Sequence, residues 1–223
     1  MPLAVNGKNI VNVGVIDDTP DVRATVSDEL KEAAFIPYDF AGPYGSTDEL
    51  LGELLTRTDA AVCDLHLNQR NYAPFSGAEV IYRCYLERFP SVLVSRFTKA
   101  DNDHIRRYRR WIPVALDYRD ANPESITNGF VICLREFKEE FLPSRRPWRT
   151  LIRVEDVDPG SNPPMVFAII PAWNPDEGVR FPLDIVPEVI RDSVQPDARI
   201  YAKVNIGAES QDELFFEDFE YRR

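Results

Sequence analysis

Two adjacent aspartates follow a short apolar run near the start of the chain. The run reads NVGVI over residues 12–16, and Asp17 and Asp18 come directly after it. Its β-branched residues are typical of a strand, so both carboxylates are expected at or just past the carboxyl end of that strand. Neighbouring like charges repel unless a positive charge lies between them. One interpretation is that an aspartate caps the next helix; the other is a divalent-metal site, which requires a further carboxylate elsewhere.

Two later apolar runs also end in side chains that could take part in chemistry. The run AAVCD ends in Asp64, and Ser95 stands near the end of the run SVLVSRF. Taken singly, Asp64 could be an ordinary strand-end acid, and Ser95 could bond to local backbone. In an open α/β sheet the functional crevice lies outside the carboxyl ends of the strands. The sequence therefore predicts that these two residues and the aspartate pair face one crevice.

The first 140 residues alternate five strand patterns with five helix patterns. Such alternation predicts an α/β fold with a five-stranded parallel sheet that is doubly wound, with helices on both faces. The predicted strands span 11–16, 35–40, 60–65, 91–97 and 112–118, and the predicted helices span 20–34, 46–58, 77–89, 100–111 and 122–141.

A change in the residue pattern after about residue 141 divides the chain into two predicted domains. The stretch LPSRRPWRT, residues 142–150, is predicted to be a linker that follows a first domain over residues 1–141. Short strand-like runs then alternate with Pro, Gly and Asn turns. This pattern predicts a small β-barrel or sandwich over residues 151–223.

Charge and cysteine content limit the partners and the compartment. The net charge is −11, and the residues after 150 hold 7 Lys and Arg against 15 Asp and Glu. This acidity disfavours direct nucleic-acid binding, because phosphate contacts need a basic face. No apolar run approaches the roughly 18 residues that span a membrane. The three widely spaced cysteines indicate free thiols, so a cytoplasmic protein is expected.

The ordered set of strand-end residues resembles the receiver domain of two-component response regulators over roughly residues 10–141. Asp18 precedes Asp64 by 46 residues, and Asp64 precedes Ser95 by 31 residues, both close to the usual intervals of that family. Gly77 at the start of the third helix and the stretch ANPES before the fifth also match. The resemblance implies a flavodoxin-like doubly wound fold and a role in phosphorelay signal transduction.

The resemblance also implies roles for particular residues. Asp64 would accept a phosphoryl group, and the hydroxyl of Ser95 would bond to that group. Mg²⁺ would be held by Asp18 and Asp64, by Asp17 directly or through a water molecule, and by the backbone carbonyl of His66. The protein would not be an enzyme beyond self-catalysed acceptance and loss of the phosphoryl group.

Three features depart from the pattern of the family. Arg119 stands where the family has a lysine that pairs with the phosphate, and arginine is not a neutral replacement for lysine. Leu116 stands at the position of the usual switch aromatic, and the loop over residues 65–76 is longer than usual, as a lid or a partner-binding loop would be. Two versions therefore stay open: a phosphorylated response regulator that controls protein–protein interactions, and an unphosphorylated pseudo-receiver adaptor or scaffold.

The expected partners are a sensor histidine kinase or other phosphodonor and a protein target. The target would bind the face of the fourth helix, HIRRYRR over residues 104–110, or the C-terminal domain. The arginines of this helix could instead dock on the acidic C-terminal domain or form a solvated face. A homodimer stays open. An aspartyl-phosphate hydrolase is a further alternative, although the second aspartate that its motif needs is replaced by Thr19 or His66.

Overall fold

A computed structural model describes residues 3–5, 8–96 and 99–221. In this part of the chain, no helix combines the length and the apolar character that crossing a membrane requires. All three cysteines are buried and free of disulfides, as the sequence predicts. The chain forms two compact units: the α/β unit, which comprises Met1–Phe97 and Trp111–Glu140, and the β unit, which comprises Thr98–Arg110 and Phe141–Arg223.

A five-stranded parallel sheet forms the centre of the α/β unit, which confirms the predicted fold class. Its middle strands are buried on both faces, as is typical of strands that helices cover on both sides. The hairpin before it was not foreseen. The hairpin strands are β1 (Leu3–Val5) and β2 (Lys8–Ile10), and the sheet strands are β3 (Asn12–Ile16), β4 (Ile36–Phe40), β5 (Ala60–Asp64), β6 (Ser91–Ser95) and β7 (Ala115–Asp117), in the flavodoxin-like spatial order β4-β3-β5-β6-β7.

Side-chain caps define where several helices begin. Ser46 and Ser76 accept the backbone N–H groups of Glu49 and Glu79, and Asn122 forms a capping box with the third helical residue. These caps satisfy N–H groups that the first turn of a helix leaves unpaired. The helices are α1 (Pro20–Glu32), α2 (Thr47–Arg57), α3 (Gly77–Leu86), α4 (Lys99–Arg106) and α5 (Pro123–Glu136), of which α4 belongs to the β unit.

Several boundaries in this unit differ from the prediction, and the ends of β6 and α5 are two examples. Strand β6 ends at Ser95, and residue 97 of the predicted strand lies outside the described residues. Helix α5 ends at Glu136, five residues before the predicted end. Glu139 has a φ of 64° there, so the chain turns away from helical geometry.

The long loop between β5 and α3 is packed against the unit. Leu67, Tyr72 and Phe75 are buried. The hydroxyl of Tyr72 donates to the carbonyl oxygen of Phe40 over 2.7 Å, at the end of β4. The buried apolar side chains and this hydrogen bond therefore fix the loop over residues 65–76 against the rest of the α/β unit.

One five-stranded antiparallel sheet forms the body of the β unit. The sheet curls around an apolar core, because Phe181 on one edge strand packs against Phe216 on the other with ring centroids 4.7 Å apart. The two edge strands are not hydrogen-bonded to each other within the described residues. The strands are β8 (Trp148–Asp158), β9 (Met165–Ile170), β10 (Asn174–Pro182), β11 (Arg199–Val204) and β12 (Phe216–Tyr221), in the order β10-β9-β8-β11-β12, with the short helix α6 (Glu188–Arg191) before β11.

Helix α4 and the residues just after it pack inside the β unit through arginines. The sequence assigned this helix to the first domain, and the structure groups it with the second unit. The guanidinium of Arg106 donates to the backbone carbonyls of Leu214 and Gln211. Arg110, just beyond the helix, pairs with Glu217 on β12 over 2.7 Å. The basic stretch over residues 104–110 therefore docks within the acidic C-terminal part of the chain, one of the two arrangements that its charge suggested.

The predicted linker over residues 142–150 is part of the β unit as well. Strand β8 begins at Trp148, and Arg145 is buried. The guanidinium of Arg145 donates to the carbonyls of Arg109 and Arg110, at 3.1 and 2.8 Å. A segment rich in arginine and proline has the composition of a linker. These hydrogen bonds instead fix it to the residues that follow α4 in the same unit.

Candidate functional site

An open cleft of about 310 Å³ lies at the carboxyl ends of the strands of the α/β unit. Asp17 and Asp18 follow β3, Asp64 is the last residue of β5, and Ser95 is the last residue of β6. All four line the cleft, as the strand pattern predicts. Thr19, Val22, His66, Arg96 and Tyr118 also line it.

The turn between β3 and α1 fixes the orientation of the first two carboxylates. The backbone N–H of Thr19 donates to Asp17 Oδ1 over 2.7 Å, and the hydroxyl of Thr19 donates to Asp18 Oδ1 over 3.0 Å. Arg23 donates to the backbone carbonyl of Asp17. Thr19 is itself the residue before α1, so the helix-cap interpretation of the aspartate pair is wrong. Both carboxylates lie at the cleft and are almost fully buried.

Helix α3 begins directly against the end of β5 and so positions Asp64. A Cβ atom at Gly77 would lie 1.8 Å from the backbone carbonyl oxygen of Asp64, so only glycine fits this approach. The N–H of Gly77 donates to the carbonyl of Leu65 over 2.9 Å. The backbone N–H of His66 donates to Asp64 Oδ2 over 2.9 Å and orients the carboxylate.

Asp17 and Asp64 in the cleft have raised pKa values. Burial, together with the charges of Asp64 and Asp18, raises the pKa of Asp17 from 3.8 to about 7, against the hydrogen bond from Thr19. Burial also raises the pKa of Asp64 to about 6, against the hydrogen bond from His66. Desolvation and mutual repulsion both disfavour the charged forms. The acidic side of the cleft therefore favours a positively charged ligand.

Oxygen donors with this electrostatic environment suit a hard divalent cation. Among the described residues, no group of three His, Cys, Asp or Glu side chains is arranged as a metal site. Mg²⁺ uses one or two carboxylates and keeps several water ligands, so it does not require a group of three side chains. The donor set of Asp17, Asp18 and Asp64 therefore fits Mg²⁺ in its chemistry.

Arg119 does not line the cleft. Its side chain is 87% exposed, and its guanidinium donates to both carboxylate oxygens of Asp117, at 2.8 and 3.2 Å. These hydrogen bonds lower the pKa of Asp117 to about 2. Leu116, at the expected place of the switch aromatic, is half-buried and packs against the core of the α/β unit.

Two residues that the sequence did not single out as site residues line the cleft instead. Arg96 comes directly after Ser95, and Tyr118 comes directly after β7. No motif marks either position, and the only signal for them is that each follows the end of a strand at the functional edge of the sheet. From the long loop, His66 is the one described residue that lines the cleft.

Solved response regulator receiver domains are similar to this chain over about 58% of its length. The receiver domain protein from Clostridium thermocellum matches at 12% identity with a TM-score of 0.44, covering 58% of this chain and 98% of that one. The chemotaxis response regulator CheY4 of Vibrio cholerae matches at 18% identity with a TM-score of 0.41, covering 56% and 99%. The rest of the chain is a different domain. No protein-family model matches the sequence, and no curated protein is similar to it in sequence.

Proposed function

We propose that this chain is a response-regulator-like signalling protein that accepts a phosphoryl group at Asp64 and passes this state to partner proteins. One observation carries the proposal: carboxylates and a hydroxyl from three different strand ends line one cleft. The adjacent pair Asp17 and Asp18 is far in sequence from Asp64 and from Ser95, and only the fold brings these side chains together.

The residues of the cleft suit phosphoryl transfer, which depends mainly on positioning and charge neutralisation. A carboxylate oxygen of Asp64 forms a bond to the phosphorus of the donor, while the bond from phosphorus to the leaving group breaks. Ser95 donates its hydroxyl to an oxygen of the transferred group. Mg²⁺ would be held by Asp18, Asp64 and the backbone carbonyl of His66, with Asp17 binding it directly or through a water molecule, and would neutralise the charge of the phosphoryl oxygens.

The β unit is the proposed output of the signal. Helix α4 belongs to this unit, yet it follows the cleft strand β6 directly in the chain. A change at Ser95 therefore reaches the β unit through the chain itself. We expect a sensor histidine kinase or other phosphodonor as the upstream partner and a protein as the downstream target, bound by the β unit.

Intact mass spectrometry after incubation with Mg²⁺ and acetyl phosphate tests this function. The wild-type protein is expected to gain the mass of one phosphoryl group, and Asp64→Asn is expected to gain none. Asp28→Asn is a matched control, because Asp28 is exposed on α1 and pairs with Lys31. A gain of mass that persists in Asp64→Asn would show that another residue is the acceptor.

A pseudo-receiver adaptor, which keeps the fold without phosphorylation, is the second candidate. The position of Arg119 favours it, because this arginine binds Asp117 outside the cleft. This candidate predicts no gain of mass with acetyl phosphate and no Mg²⁺ binding, while partner binding persists. Repeated release of phosphate by the protein would instead support the hydrolase alternative.

A further inference from the structure

We propose that Arg96 and Tyr118 form the anion-binding wall of the cleft, in place of Arg119. The anion is the phosphoryl group on Asp64 or a tetrahedral oxyanion of the same shape. This inference rests on the proposed function and assigns to two other residues the task that the resemblance gave to Arg119.

Arg119 is held outside the cleft by its neighbour. Two hydrogen bonds join its guanidinium to Asp117, and its side chain is 87% exposed. The Nε and Nη2 donors of one guanidinium edge both face Asp117, so this edge has to give up a bidentate pair before it can bind a phosphate. Asp117 lies only two residues before Arg119, at the end of β7. It therefore competes with any phosphate for the guanidinium of Arg119.

Arg96 brings a permanent positive charge to the lining of the cleft. Among the described residues that line it, Arg96 is the single arginine or lysine. Its charge partly offsets the raised pKa of Tyr118 and adds to the lowered pKa of Asp117, so it acts on the β7 side of the cleft. A guanidinium binds phosphate oxygens bidentately.

Tyr118 adds a hydroxyl that has no satisfied hydrogen bond. The Tyr118 oxygen is buried, and no atom of the described residues meets hydrogen-bonding geometry with it. Burial raises the pKa of this hydroxyl and keeps it protonated, and the charges of Asp17 and Asp64 add to the shift. The Asp17 carboxylate is therefore close enough to interact with the hydroxyl, but it lies outside hydrogen-bonding geometry. A buried donor without an acceptor is costly. An oxyanion bound in the cleft would supply that acceptor.

The sheet brings these two residues together. Ser95 on β6 is paired with Asp117 on β7, and the N–H of Tyr118 donates to the carbonyl of Ser95 over 3.2 Å. Arg96 and Tyr118 therefore leave the sheet side by side. The carboxylates come from β3 and β5, so one side of the cleft is acidic and the other side carries donors. Such a polarised cleft fits an anion that is bound together with a cation.

Two measurements on the full chain test the assignment. Phosphorylation by acetyl phosphate is followed by intact mass, and binding of Mg²⁺ with beryllofluoride, a tetrahedral phosphate mimic, is followed by amide NMR shifts. Loss of a charged hydrogen bond costs about 10- to 100-fold in affinity. We expect a loss of that size in Arg96→Ala, a loss of about 3- to 10-fold in Tyr118→Phe, and less than about 2-fold in the matched control Arg119→Ala.

The outcomes separate the inference from the proposed function. If the wild type is phosphorylated and Arg119→Ala loses more than Arg96→Ala, the inference is wrong and the function stands. If the wild type takes up no phosphoryl group but binds beryllofluoride through Arg96, the function is wrong and the inference stands. If the wild type neither takes up a phosphoryl group nor binds beryllofluoride, both the inference and the proposed function are wrong. Should Arg96→Ala unfold, Arg96→Gln keeps the side-chain volume and gives the same comparison.

Discussion

The guanidinium of Arg106 on α4 donates a hydrogen bond to the backbone carbonyl of Leu214 over 2.9 Å. It also donates to the carbonyl of Gln211, and its side chain is only 3% exposed. Burial lowers the pKa of Arg106, while the carboxylate of Asp212, 3.9 Å away, favours the charged form. A buried cation is thus satisfied mainly by backbone oxygens, which ties α4 to the segment before β12.

Arg106→Ala is expected to destabilise the β unit by about 2–4 kcal/mol, because it leaves two carbonyls without their donor and opens a cavity. Hydrogen exchange of the amides between residues 211 and 221, read by mass spectrometry, measures this effect. Arg107→Ala is the matched control: Arg107 pairs with Asp184, but its side chain is 52% exposed, so the expected cost is below about 1 kcal/mol. Equal effects of the two substitutions would contradict the role given to Arg106.

Gly77→Ala is expected to distort the acidic side of the cleft. The new Cβ would meet the backbone carbonyl of Asp64, so α3 and the end of β5 must move apart. We expect a loss of about 2–4 kcal/mol in the free energy of unfolding and a lower rate of phosphorylation, since overpacking forces backbone shifts. Gly52→Ala is the control, because an added Cβ on the exposed face of α2 meets no atom within 4 Å. That substitution is expected to stabilise the protein by about 0.5–1 kcal/mol in urea denaturation.

The sequence predicts the acidic side of the site well and the basic side poorly, for physical reasons. Asp17, Asp64 and Ser95 end strands whose apolar pattern is strong, and the edge of a parallel sheet brings such residues together. The direction of a side chain just after a strand depends instead on the following turn. Arg119 turns toward Asp117 because two hydrogen bonds hold it there. The spacing of residues along the sequence does not show the direction of this side chain.

The assignment of α4 to the β unit could not be predicted from sequence patterns either. Its amphipathic pattern fits packing against either unit equally well. The deciding contacts are backbone carbonyls around Leu214, which any sequence provides, and they become visible only when the fold brings them to Arg106. The charge pattern left open whether this basic stretch docks on the acidic C-terminal domain or stays solvated, and the pair between Arg110 and Glu217 agrees with docking.

Asn205→Ala is expected to unfold the β unit more easily, because Asn205 is fully buried and forms three hydrogen bonds to backbone. Its Oδ1 accepts from the N–H of Phe215 over 2.7 Å, and its Nδ2 donates to the carbonyls of Ser144 and Glu213. Leaving these groups unpaired costs about 2–4 kcal/mol. Thermal unfolding measures the loss. Asn174→Ala, whose side-chain hydrogen bonds are local, should change the stability by less than about 1 kcal/mol.

The raised pKa of Asp17 predicts that the metal-free protein loses stability as the pH rises. Its pKa is about 7 in the folded protein and near its ordinary value of 3.8 in the unfolded chain. The folded state therefore favours the protonated carboxyl. This contribution is fully present below about pH 4 and is lost as the pH rises through about 7. Allowing for solvent screening, we expect a loss of about 1–2 kcal/mol between pH 5 and pH 8.

Asp17→Asn tests this pH dependence directly. The amide oxygen can still accept the N–H of Thr19, but the group no longer ionises. In urea denaturation with a chelator present, we expect Asp17→Asn to be more stable than the wild type at pH 8 and to lose less stability between pH 5 and pH 8. Asp28→Asn should keep the wild-type dependence, because Asp28 is exposed. The same dependence in Asp17→Asn and wild type would show that burial of this carboxylate has no energetic cost. Added Mg²⁺ should then raise the stability of the wild type at pH 8 more than that of Asp17→Asn, since a bound cation relieves the repulsion that the amide has already removed.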